Sequence, residues 1–560
     1  MHRHLLYTTF LCLLTLAACS DNEELTPTSS PNHEDANYVG QAVGNFTAAE
    51  WYPGGQLGTT LNVSQSCYED ETPATTSQGL AQNFKNGEAF FERTYNFSTK
   101  PFNGLGPAWV RQSCMACHPG YGHGQRQDTY RANTYGNGYL LVVYHPTAGT
   151  DANGNAYAAN SYVTELTGMP QTKAADPFLP PVDESDIHIS WLEATDGALP
   201  LQFADGERYS LIYPEVSIDA SAFNTQPVPD NYEVRLESTI GIYGSGLLDA
   251  IPDDSLKAQY RAAATHAALN PAMWDTAAND WAPGAWYTLA DGTKAIKRFT
   301  YALTRASLQD GAGANAIWNI TNVTRADRRK LYTTQAWAQA MSQNEQVLQA
   351  ILGNPTSPYY ADGTREGVAE AVKTLLSPTT DQSDNPFFNF EDEMADRDFY
   401  DFMVWHRGLA VPRARNLHSP TVQRGKELFR QLGCTACHRP SWTTGDDNYW
   451  APAIIQAQGE LPRYPRQTIW PYTDMLQHRL FMKNDIRTGW CRTTPLWGRG
   501  LSRQNTGADD RLHDCRARTV IEAIMWHGYS RESDAFTSTE AFYQLNKEDR
   551  DAVVAFIEAI

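Results

Sequence analysis

Two copies of one pentapeptide constrain this chain more than any other feature. They are Cys114-Met115-Ala116-Cys117-His118 and Cys434-Thr435-Ala436-Cys437-His438, 320 residues apart. Two thiols about one helical turn apart can add across the two vinyl groups of one haem, and the next residue then offers an imidazole to the iron. A single copy also serves as a zinc or redox site, or as a disulfide beside a surface histidine. Two copies behind an export signal favour covalent haem. The expected cofactors are two covalently bound c-type haems, on Cys114 and Cys117 and on Cys434 and Cys437, with His118 and His438 as axial ligands of the iron.

The export signal is at the start. Arg3 precedes an apolar run from Leu5 to Leu16 that is too short to span a bilayer, and Leu16-Ala17-Ala18-Cys19 follows. Residues 1–18 read as a lipoprotein signal peptide, cut before Cys19, whose thiol is lipidated. Residues 19–45, rich in Thr, Ser, Pro, Asn and Asp, read as a flexible tether. The expected location is the bacterial cell envelope, with a lipid anchor in the outer membrane, on its periplasmic face or at the cell surface.

The 560 residues carry 44 Lys+Arg against 64 Asp+Glu, a net charge of −20, which argues against a nucleic-acid partner. Gly138 to Tyr144 reads as a strand, and Leu201 to Leu211 as a hairpin around Asp205-Gly206. Helical periodicity dominates later. Asp253 is a candidate cap, and Thr324 with Asp327 resembles a capping box opening a helix that ends at Gly353-Asn354-Pro355. A second helix is expected from Thr364 to Leu376, and a last one after Asn546.

The flanks of the two pentapeptides resemble the bacterial di-haem oxidoreductases of peroxidase type, distant relatives of the di-haem cytochrome c peroxidases. The matching segments include FNGLGPAWVRQSCMACH (102–118), GSGLLDAIPDD (244–254), LAVPRARN (409–416), RGKELFRQLGCTACHRP (424–440), PYTDMLQH (471–478), CRTTPLWGRGL (491–501) and RLHDCRARTVIEAIMWHG (511–528). Pattern and resemblance together predict a mainly α protein. It has two cytochrome-c-like haem domains, with a β-containing N-terminal portion and a helical insertion. The N-terminal haem domain spans 46–250, the insertion 251–410 and the C-terminal domain 411–560.

The resemblance also implies site residues. A turn at His513-Asp514-Cys515 puts the distal ligand of the second haem on His527. Met525, about 200° away around a helix, is the alternative. For the first haem, His123 and His145 are in reach along the chain. Asp249, where relatives carry Glu, is the expected acid–base group for O–O cleavage. Relatives have other residues at 491 and 515, so cysteine at both implies a Cys491–Cys515 disulfide and leaves Cys67 free. Arg492 or Arg499 is expected to pair with haem propionates. Any of 15 tryptophans is a candidate relay between the haems.

The implied activity is reduction of peroxide or a related small oxidant at the first haem. Electrons come through the second haem from a small donor protein or reductant. Three alternatives stay open: a non-enzymatic electron-transfer cytochrome, an enzyme that modifies a partner's side chain, and a haem- or iron-acquisition surface lipoprotein.

Overall fold

The computed structural model describes residues 35–96, 105–136, 138–289, 292, 294–308, 314–384, 390–448 and 451–560. The signal peptide and Cys19 lie outside these residues. From Asp35 onward the chain packs on the body. The Asp35 carboxylate is buried and accepts from Arg413 Nη1 at 2.8 Å and from the Asn416 backbone N–H at 2.9 Å. The end of the expected tether is therefore part of the fold.

The mainly α expectation is corrected. The chain is 33% helix and 15% strand, and the described strands pair only two by two. Helical periodicity is confined to a few segments, while residues between them, rich in Gly, Pro, Asn and Asp, run as turns and short ribbons. No helix among the described residues is long and apolar enough to cross a membrane.

The elements that frame the two pentapeptides are helices α1 (Ala81–Glu92), α2 (Ala314–Thr321), α3 (Asp396–Gly408), α4 (Pro420–Gln431), α5 (Val520–His527) and α6 (Lys547–Ala559). Strands β1 (Tyr139–Tyr144) and β2 (Glu233–Ser238) pair antiparallel, Tyr139 opposite Ser238.

One construction occurs twice. Helix α1 leads to the first pentapeptide and crosses α3 at Gly87, where a Cβ would overlap the Asp401 carbonyl and Trp405 Cβ. Helix α4 leads to the second and crosses α6 at Gly425, where a Cβ would overlap the Ala552 carbonyl and Phe556 Cβ. One turn beyond each glycine a phenylalanine reaches toward the motif histidine. Phe91 lies 6.2 Å from His118 and 4.3 Å from Trp405, and Phe429 lies 6.1 Å from His438 and 5.2 Å from Phe556 (ring centres). Helix α3, at the end of the expected insertion, thus completes the packing around the first pentapeptide.

Local chemistry sets the other boundaries. Asn546 caps α6 by accepting from the Asp549 N–H, and Thr364 caps helix Arg365–Leu375. The helix expected from Thr324 starts later, at Gln335, with Thr334 as its cap. It also breaks at Asn344, whose side chain accepts from Gln346 and Val347 N–H groups and opens a second helix, Glu345–Leu352. Asp327 instead pairs with Arg325 at 3.0 Å. Asp253 lies in the first turn of helix Asp253–Ala263, with Pro252 as the cap.

Candidate functional site

Each pentapeptide forms a single helical turn, closed by the His118 N–H on the Cys114 carbonyl at 3.0 Å and the His438 N–H on the Cys434 carbonyl at 2.9 Å. His118 Nδ1–H donates to the Ile240 carbonyl at 3.1 Å, just past the end of β2, and His438 Nδ1–H to the Tyr472 carbonyl at 3.0 Å. These bonds fix the tautomer and leave Nε2 as the free ligand atom of each ring. Burial holds both imidazoles down to about 4, so each is neutral and offers a lone pair near neutral pH.

Each turn forms part of a cavity wall. The first cavity, about 310 Å³, is lined by Cys114, Cys117 and His118. The second, about 250 Å³, is lined by Cys434, Cys437 and His438.

In the second cavity, His527 at the end of α5 stands opposite His438, with ring centres 6.4 Å apart. Its Nδ1–H donates to the Ala523 carbonyl at 2.6 Å, which again leaves Nε2 free. A metal ion bonded at about 2 Å to each Nε2 fits between rings at this spacing. Met525 is buried in the apolar core and does not line the cavity. Arg492, Arg499 and Arg511 also line this cavity. Arg492 Nη2 and Arg511 Nε are buried without hydrogen-bond partners, and burial lowers both guanidinium groups to about 10. Unpartnered buried guanidinium nitrogens suit the carboxylates of a haem. His478 completes the wall, its Nε2 2.7 Å from Asp474 Oδ2; burial opposes its charge, but Asp474 holds it well above the ordinary histidine range.

The first cavity differs. Helix α2 presents Ala316, Asn319 and Ile320 to it, and Asn319 Oδ1 is buried without a partner. Two histidines line it, His118 and His406. His406 follows Trp405 on α3 as Ile557 follows Phe556 on α6, so it belongs to the helix-pair wall and takes the place of a core isoleucine. Burial lowers it to about 3, and its Nδ1 has no partner. Glu237 on β2 also lines this cavity. Burial, opposed in part by Arg487, pushes its carboxyl up to about 7, and its Oε1 is unpartnered.

Three expectations are corrected here. Asp249 lines neither cavity; its buried carboxylate accepts from Arg407 Nη1 at 2.7 Å, because the fully buried Arg407 guanidinium requires countercharges and takes Asp249 and Asp447. His123 lines the second cavity rather than the first, and its Nε2 is engaged by the Tyr301 hydroxyl at 2.8 Å; His145 stacks on Tyr157 and lines neither. Cys491 and Cys515 are separate thiols. Cys515 Sγ donates to the Gly124 carbonyl at 3.3 Å, while Cys491 lines the second cavity. Cys515 has φ +64°, a backbone conformation that favours glycine.

Sequence reasoning missed Glu237, Asn319 and His406. Alternation in β2 marks Glu237 as facing one side of a ribbon, but not that the side is a cavity.

Residues 385–560 match a family model described as "Di-haem oxidoreductase, putative peroxidase". No curated protein matches the chain. The matched segment contains α3 to α6, and so the whole second helix pair, His438 and His527, and one wall of the first cavity.

Proposed function

We propose, from the match of residues 385–560 to the di-haem oxidoreductase family model, that both cavities hold covalent c-type haem and that the two haems have different tasks. Cys114, Cys117 and His118 would hold one, and Cys434, Cys437, His438 and His527 the other. Bound haem supplies the redox chemistry; the protein supplies ligands, burial and proton control.

The observation that carries this reading is the asymmetry of the cavities. His438 is faced by a second imaginable ligand, His527, at 6.4 Å between ring centres, an arrangement suited to electron transfer. In the first cavity α2 offers Asn319 and aliphatic side chains, and the other histidine, His406, belongs to the helix-pair wall, which leaves room for a small oxidant. Glu237 supports reduction of peroxide there. A carboxyl with a pKa near 7 can accept a proton from one peroxide oxygen and return it to the other at neutral pH. Electrons would enter at the second cavity from a small donor protein or reductant. A lipid on Cys19 would hold the body at the bacterial outer membrane.

Electron paramagnetic resonance of the oxidised holoprotein tests the reading. One low-spin and one high-spin iron, with peroxide turnover by a small reductant, is the expected result. Two low-spin irons in both the oxidised and the half-reduced protein, without turnover, would instead support the electron-carrier alternative.

A further inference from the structure

Ile240, Ser245, Phe299 and Tyr301 line both cavities. No tryptophan among the described residues does so. Of the four, Tyr301 carries the side chain best able to release an electron together with a proton. Its hydroxyl lies 2.8 Å from His123 Nε2. His123 Nδ1 is 3.2 Å from the Gly124 carbonyl, so it carries the ring proton and Nε2 is the acceptor. Burial, with Arg499 nearby, keeps this imidazole neutral. The position of Tyr301 is fixed by its backbone carbonyl, which accepts from the Arg492 N–H at 2.9 Å and from Gln477 Nε2 at 3.1 Å.

We propose that Tyr301, with His123 as its proton acceptor, passes electrons one at a time between the two cavities. The inference rests on reading both cavities as haem sites. In the outward half, once peroxide has raised the first-cavity haem above its ferric level, the phenol gives that haem one electron and its O–H proton moves to His123 Nε2. A neutral phenoxyl radical and an imidazolium result. In the return half, one electron from the ferrous haem of the second cavity and the proton from His123 restore phenol and imidazole. Proton and electron leave the phenol together because a phenol radical cation, buried and desolvated, is costly. Each cycle moves one electron from the second cavity to the first with no net proton change.

The test uses holoprotein of the native chain, Tyr301→Phe and His123→Gln, with haem content measured first by mass and absorbance. Protein with the second haem reduced is mixed rapidly with peroxide, and reoxidation of that haem by the first is timed in H2O and in D2O. The native chain should show slower transfer in D2O. Both variants should lose that isotope effect, and Tyr301→Phe should transfer about tenfold more slowly or worse. Native rate and native isotope effect in a fully loaded Tyr301→Phe protein would overturn the relay alone. A native chain that takes up no haem would overturn the reading of the cavities and the relay with it.

Discussion

Arg407 Nη1 donates to the Asp249 carboxylate at 2.7 Å, and both side chains are buried. Asp249 is therefore a counterion in the core. Asp249→Asn removes one of the two carboxylates on Arg407 and is expected to cost about 3 kcal/mol, as for other broken buried pairs. Urea unfolding should show the loss, while the folded variant keeps native peroxide kinetics.

Glu237 is the carboxyl that faces the first cavity. Glu237→Gln preserves shape but cannot cycle a proton, and is expected to slow reaction with peroxide by about 10²- to 10⁴-fold. Stopped-flow absorbance checks this, with haem content and the EPR of the second haem unchanged.

The same residue makes stability depend on pH. In the unfolded chain the carboxyl ionises near 4.5, whereas in the fold it stays protonated until about 7. Between these values the native state holds more protons than the unfolded state, so stability falls as pH rises through that window and then levels off. The expected decline attributable to Glu237 is about 3 kcal/mol. Urea midpoints from pH 4.5 to 7.5 for the native chain and Glu237→Gln measure it; the variant should lack this component.

Alanine in place of glycine normally favours a helix by about 1 kcal/mol. At Gly425 the sign should reverse, because the new methyl overlaps the Ala552 carbonyl and Phe556 Cβ where α4 meets α6. Gly425→Ala is expected to destabilise by about 1–3 kcal/mol, visible as a lower thermal midpoint. Gly79→Ala, a glycine with nothing within 4 Å but a φ of +75°, isolates backbone strain from overlap in the same measurement.

What the sequence discloses here follows from how local the cause is. Strand Tyr139–Tyr144, the Thr364 and Asn546 caps and the turn of each pentapeptide depend on neighbours a few residues away, and they are where the pattern puts them. His527 facing His438 follows from helix phase, because a residue two steps back points to the other side. Asp249 and Glu237 could not be told apart in this way. Whether a carboxylate meets Arg407, 158 positions away, or an apolar cavity is decided by tertiary packing. The Cys491–Cys515 pairing failed for the same reason: the presence of cysteine at both positions says nothing about where Cys515 Sγ points. The mainly α expectation rested on strongly periodic segments and overlooked how much chain lies between them.

The crossing of α1 with α3 also bears on the order in which the molecule is made. The thiols Cys114 and Cys117 emerge early, but the helix that walls their cavity ends at Gly408, almost three hundred residues later. Throughout that interval the first pentapeptide turn stands without its partner helix. The second turn waits only for α6, the last helix of the chain. Two cavities built alike are thus finished on different schedules, and the first stays open by far the longer.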